Sequence, residues 1–227
     1  MKIAVINDLS GMGRCSLTAS IPMLNILGHQ VFPVPTAILS NQTGYPKFSF
    51  FDFTDHMDEY ISNWKDMGIK FDVIYSGFLS NQKQVQKIKD MHKYTSNEGC
   101  LLVVDPVMGD GGKMYATFDD ELCQKIKSLV QEADVVTPNV TEACILTGTN
   151  YNDFVQSVDN TNFCDKFFDL AKQVQKLGCK KVVITGFENT VKNQKLVCNF
   201  VLDCDNFNYT QNKMYGGHYS GTGDITA

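Results

Sequence analysis

Short apolar, β-branched runs alternate with longer stretches of helical spacing from one end of the chain to the other. Residues 2–7 (KIAVIN), 31–37 (VFPVPTA), 71–77 (FDVIYSG), 100–105 (CLLVVD), 133–139 (ADVVTPN) and 180–186 (KKVVITG) read as strands. Their near-continuous apolar character is that of strands covered on both faces. Between them the spacing predicts helices over 16–27, 55–67, 81–97, 119–132, 140–147 and 162–177. Regular strand–helix alternation predicts an α/β fold of three layers, a mostly parallel central sheet with helices on both faces. The last two runs, 195–203 (KLVCNFVLD) and 207–215 (FNYTQNKMY), stand too close together for a crossover helix. They predict an antiparallel hairpin at the sheet edge. No linker, repeat or low-complexity tract breaks the pattern, so residues 1–227 read as one domain.

Composition narrows the function. At 43% hydrophobic and 20% charged residues the chain is an ordinary globular one, and its net charge of −5 leaves no basic surplus for nucleic-acid phosphates. No run approaches the ~20 apolar residues of a membrane span. The apolar start, Met1 to Ile6, is too short for the core of a secretory signal. Eight cysteines without a Cys-x-x-Cys pair read as free thiols of a reducing, cytoplasmic setting, and structural zinc is not expected.

In open α/β sheets ligands bind beyond the carboxyl ends of the strands, so the polar residues that follow each apolar run are the candidates. Asp8 and Ser10 follow the first run, Thr43 the second, Asp105 and Asp110 the fourth. Thr137, Asn139 and Glu142 follow the fifth, and Thr185-Gly186 the sixth. GMGRCS (11–16) is an incomplete dinucleotide fingerprint, because Ser16 stands where the third glycine belongs and no acidic residue lies ~20 positions on. It reads as a tight strand-to-helix turn. A Walker A loop is absent, since no Gly-Lys-Ser/Thr occurs.

Asp105 and Asp110 bracket a turn with Gly111-Gly112 beyond it. They can serve a divalent cation through water, or simply cap a turn. Asn139 and Glu142 have the spacing of a capping box, with Thr137 as an alternative cap. In SGTGDIT (220–226), Gly221-Thr222-Gly223 directs successive N–H groups at one point ahead of a helix starting at Asp224. That is an anion hole. Asp224 is then either an N-cap or a base for phosphoryl transfer to an alcohol.

DPVMGD, TPNVTEACILTG, VVITG and GTGD, in this order and at these separations, resemble the pyridoxal kinases of the ribokinase-like superfamily. ILSNQTGY (38–45) resembles their vitamin-binding segment, and the similarity runs the length of the chain. GTGD alone would indicate only the superfamily. The resemblance implies ATP-dependent phosphorylation of a B6 vitamer on its 5′-hydroxymethyl group. Asp224 matches the catalytic base, and Gly221, Thr222 and Gly223 match the anion hole, with Thr222 also on the ATP side. Asp105, Asn139 and Glu142 match ATP- and metal-side residues, and Thr185 and Gly186 match nucleotide contacts. Asp110 and Glu142 match Mg²⁺-side carboxylates, while Asp105, Thr137 and Thr185 lie where the family holds a monovalent cation, K⁺.

On the vitamin side, Thr43 matches a contact to the pyridine ring. Asp8 stands where many members have serine, with Ser10 two residues on, and Phe78 stands where tyrosine is frequent. Asp8 could pair with a protonated pyridine nitrogen or an amine. The implied partners are ATP and the vitamin; nucleic acid and membrane are not expected, and members are commonly homodimeric. The nearest alternative is a hydroxymethylpyrimidine kinase, whose DPVM and TPN segments are similar but which frequently carries cysteine at the position of Asp224. A non-catalytic ligand-binding homologue is a further alternative, opposed by the presence of Asp224, Asp110 and Glu142 together. Related kinases continue with further helical segments after GTGD. The chain is therefore expected to be a fragment truncated after its anion hole, with Gly221 to Ala227 poorly anchored, ATP bound weakly and turnover slow or absent.

Overall fold

Burial pairs the apolar runs into a single sheet. The computed structural model describes residues 1–115, 118–159, 161–191, 193–216 and 221–226. Its first half contains β1 (Lys2–Ser10), α1 (Leu17–Ile26), β2 (Gln30–Leu39), β3 (Phe50–Asp52), α2 (Met57–Asp66), β4 (Phe71–Ser76), α3 (Gln82–Thr95) and β5 (Ser96–Val104). A small hairpin, β6 (Gly109–Asp110) and β7 (Lys113–Met114), precedes α4 (Asp120–Val130) and β8 (Val135–Val136). Three helices follow: α5 (Val140–Thr147), α6 (Tyr151–Ser157) and α7 (Phe163–Gln175). The remainder is β9 (Lys181–Val191), β10 (Gln194–Asp203), β11 (Asn206–Lys213) and α8 (Thr222–Thr226).

Among the described residues nine strands form one sheet in the order β11-β10-β9-β8-β5-β4-β1-β2-β3. From β2 to β9 the neighbours are parallel; β3, β10 and β11 are antiparallel at the two edges. The chain runs from β1 to β2 on one side and returns to β4 on the other. The connectivity therefore reverses at β1, which is where such sheets open a crevice for ligands.

Side chains alternate across β1. Ala4 and Ile6 join Ile74, Leu102 and Val104 in the large core under α2 to α7. Ile3 and Val5 face the other way, onto Leu17 of α1 and Tyr75. At the far edge the rings of Phe167 (α7) and Phe200 (β10) stack with centroids 3.8 Å apart and 4° between planes, which fixes the terminal hairpin to the body. Burying one such ring contributes about 1.5–3 kcal/mol.

Helices cover both faces, as the alternation predicts, but unequally. Leu101, on the α1 side of β5, is 45% exposed. Four further details depart from the sequence reading. β1 runs through Asp8 to Ser10, because a polar residue can continue a strand once its backbone is paired with β2. β8 has only two residues, since Thr137 to Asn139 turn into the head of α5. Residues 151–157 form a helix capped by Asn150, and 109–114 form the β6–β7 hairpin. All eight cysteines are free. Among the described residues no helix is long and apolar enough to cross a membrane.

Candidate active site

Each parallel strand delivers its polar end to one side of the sheet, and there the structure opens a cleft of about 780 Å³. Its lining includes Asp8, Ser10, Thr43, Asp105, Asp110, Thr137, Asn139, Glu142, Thr185, Gly186 and Gly221 to Asp224. Every residue singled out from the sequence therefore reaches the same cavity.

The glycine-rich segment closes it. Gly221 has φ +84°, and a Cβ there would lie 1.9 Å from the carbonyl oxygen of Arg14, so only glycine lets this segment seat on the turn before α1. Ser220 lies outside the described residues. Helix α8 begins at Thr222, two residues earlier than expected, so Asp224 is not an N-cap. Its carboxylate instead accepts a hydrogen bond from Asn7 Nδ2 at 3.2 Å and another from the backbone N–H of Ser16. Burial and the charge of Asp8 push Asp224 above the ordinary carboxylate range, and these two donors and its own backbone N–H oppose them. Ser16, the residue in the glycine position of the incomplete fingerprint, has φ +51°. That backbone region is sparsely populated by residues with a side chain, and strain of this kind clusters at functional turns.

Asp8 is buried beside it and accepts a hydrogen bond from Ser10 Oγ at 2.7 Å. Thr43 and Phe78 line the same end. Across the cleft, Asn139 caps α5 through Oδ1 to the N–H of Glu142 at 2.9 Å. Glu142 in return accepts from the N–H of Asn139 at 2.8 Å and of Met108 at 3.1 Å. The capping box is therefore real, and it has a second effect: it ties the DPVMGD loop to the head of α5. Asn139 Nδ2 donates to the carbonyl of Gly109 at 2.8 Å and completes that tie. The β6–β7 turn is held in turn by the N–H of Gly112, which donates to Thr141 Oγ1 at 2.9 Å.

The floor of the cleft is short of positive charge. Asp105 is pushed up to about 8 by burial and then by Asp224, and Glu142 is raised by burial and then by Asp105. The hydroxyls of Tyr75, Ser76 and Thr137 are buried without a hydrogen-bond partner among the described residues. The described lining contains Asp8, Asp105, Asp110, Glu142, Glu188 and Asp224 against Lys213. Among the described residues no three acidic, histidine or cysteine side chains converge closely enough to hold a metal. Asp110 is exposed and accepts from the N–H of Gly111 at 2.7 Å. It and Glu142 do not form a preformed protein cage.

The lining also includes residues that carry no site role in the sequence reading, among them Asn7, Glu188, Asn199 and Lys213. Asn7 was findable, as the first polar residue after an apolar run. Asn199 was not. It sits mid-strand in β10 and accepts the N–H of Gly186 at 2.9 Å, a contact only the β9–β10 pairing creates.

Known proteins resemble this chain in sequence and fold. A protein of Bacteroides thetaiotaomicron classed as a phosphomethylpyrimidine kinase and crystallised with pyridoxal is 38% identical, with a TM-score of 0.88 over 98% of this chain and 76% of that one. Pyridoxal kinase from Lactobacillus plantarum is 29% identical, with a TM-score of 0.83 over 98% and 76%. Pyridoxal kinase of Dictyostelium discoideum is 27% identical over 229 residues, covering 93% of this chain and 70% of the relative. The phosphomethylpyrimidine kinase family model matches residues 29–227, and with the ribokinase-like fold of its neighbours this places the chain in the phosphomethylpyrimidine kinase family.

Proposed function

We propose that the protein is an ATP-dependent kinase acting on the 5′-hydroxymethyl group of a vitamin B6 vitamer: pyridoxal, pyridoxine or pyridoxamine. The observation that carries this reading is the placement of Asp224, beside Gly221 to Gly223 at the reversal point of the sheet and across the cleft from Asn139 and Glu142. The kinship supports it, since relatives that cover most of the chain are pyridoxal kinases and one at 38% identity was crystallised with pyridoxal.

In this reading Asp224 accepts the hydroxyl proton as the substrate oxygen bonds to the γ-phosphorus and the bond to ADP breaks. Backbone N–H groups of Gly221, Thr222 and Gly223 face the charge on the transferring group. Asp105, Asn139, Thr185 and Gly186 border the nucleotide, and Asp8, Ser10 and Thr43 border the vitamin. Asp8 gives the vitamin end negative charge, which favours a vitamer with a protonated ring nitrogen or an amine.

The donor set fits two kinds of cation. Asp110 is exposed at the cleft and Glu142 is buried behind it, an arrangement that leaves room for Mg²⁺ held through water, since this ion keeps several waters and takes phosphate oxygens. That ion would neutralise phosphate charge. Thr137 Oγ1, buried without a partner next to the raised carboxyl of Asp105, is an unused oxygen donor of the kind a monovalent cation takes, with Thr185 as the third member. The family description favours hydroxymethylpyrimidine as the second substrate to examine. Purified protein with ATP, Mg²⁺ and K⁺ is expected to convert at least one B6 vitamer to its 5′-phosphate. Turnover of hydroxymethylpyrimidine with none of any vitamer would refute the substrate.

A further inference from the structure

We infer that Asn7 is a positioning residue that holds the carboxylate of Asp224 in place through its side-chain amide. The inference rests on the reading of Asp224 as the base. Asn7 is 1% exposed and lies in β1 at the point where the sheet reverses. Its Oδ1 accepts two backbone N–H groups, from Asp8 at 3.0 Å and from Phe78 at 2.9 Å. Because both of those partners are donors, the oxygen must face them and the NH₂ must face Asp224. The amide cannot turn over without losing three hydrogen bonds. The amide packs against Gly77, where a Cβ would come within 2.4 Å of Nδ2, so only glycine leaves room for it.

The sheet therefore reaches Asp224 through one rigid group that two strands hold from behind. The bond is made to Oδ1 of Asp224. It supports the ionised form together with backbone N–H groups. The groups facing Asp224 are Asp8 from β1, Cys15 from the turn before α1, Tyr75 from β4, Asp105 beyond β5 and Tyr115 beyond β7. None of these is cationic. The N–H groups of Ser16 and of Asp224 itself are the further donors.

Two variants separate positioning from structure. Asn7→Asp keeps the shape and the two accepted bonds but replaces the donor by an acceptor; Asn7→Ala removes all three. At pH 9, with the introduced carboxyl ionised, Asn7→Asp is expected to lose about 10-fold or more in kcat, the order set by one charge-assisted hydrogen bond, with KM for ATP within about 3-fold. By carbon-13 NMR the carboxyl of Asp224 is expected to titrate about one pH unit or more higher in Asn7→Ala than in wild type. That titration needs no turnover, so it decides the role of Asn7 even if wild type phosphorylates no vitamer. Failure of wild-type turnover would instead count against the kinase reading. Unchanged kcat in Asn7→Asp, or an Asp224 titration in Asn7→Ala superimposable on wild type, would overturn the inference and leave Asn7 a structural residue of the strand.

Discussion

Gly77→Ala is the smallest change that reaches the proposed base without touching it. The added Cβ would stand 2.4 Å from Asn7 Nδ2, 2.7 Å from Cγ and 3.0 Å from Oδ1. Unstrained heavy-atom contacts begin near 3.5 Å, so the amide must retreat by about 1 Å. A retreat of that size stretches the bond from the N–H of Phe78, now 2.9 Å, and the bond to Asp224, now 3.2 Å. Overpacking of this kind costs about 1–3 kcal/mol. At roughly 2–4 °C per kcal/mol for a chain of this size, the thermal midpoint is expected to fall by about 2–12 °C. Displacing a reacting group by about 1 Å costs up to about 10²-fold in rate, so kcat is expected to fall further than the stability loss alone implies. Differential scanning fluorimetry and steady-state kinetics read the two effects. Adding Asn7→Ala to Gly77→Ala relieves the clash but leaves the N–H groups of Asp8 and Phe78 without their acceptor, so the double variant is expected to match Asn7→Ala alone in midpoint, with kcat low in both. A Gly77→Ala protein with wild-type midpoint and wild-type kcat would refute the reasoning.

Four further outcomes are expected. Asp224→Asn lowers kcat by about 10²-fold or more with ATP affinity within a few-fold, as loss of a general base does, and near wild-type kcat would demote the residue. Because burial raises Asp224, kcat/KM should decline on the acid side starting above the ordinary carboxylate range, as the base takes up a proton; a plateau down to pH 4 would contradict this. Glu142→Gln raises the Mg²⁺ concentration needed for half-maximal rate, and a superimposable titration would count against its metal-side role. Thr137→Val abolishes any rise of the thermal midpoint with KCl while leaving the potassium-free midpoint close to wild type, and an undiminished rise would remove Thr137 from the cation site.

Most of the architecture could be read from period and punctuation. Strands buried on both faces announce themselves as apolar runs, and α5 was bounded correctly because Asn139 and Glu142 cap it and Gly148 ends it in the left-handed region. The site was legible for a related reason: residues such as Asp105 and Thr185 follow directly on those runs, and parallel strands bring all such ends together. What was missed depends on partners far along the chain. Polar Asp8 and Ser10 look like a loop until β2 is laid beside them. Helix α6 has seven residues, too few for a period to stand out. The hairpin around Gly111 and Gly112 has strands of two residues each, too short for alternation to show, and its turn is held by Thr141 of α5. Asn7 and Asp224 lie 217 positions apart, and no spacing rule relates them.

The most direct measurement is a competition. Equimolar pyridoxal, pyridoxine, pyridoxamine and hydroxymethylpyrimidine, incubated with the purified protein, ATP, Mg²⁺ and K⁺, can be followed together by mass spectrometry. The account predicts that a B6 vitamer 5′-phosphate accumulates first, with one ADP formed per phosphate transferred, and that Asp224→Asn suppresses it. Accumulation of hydroxymethylpyrimidine phosphate with every B6 vitamer untouched would contradict it.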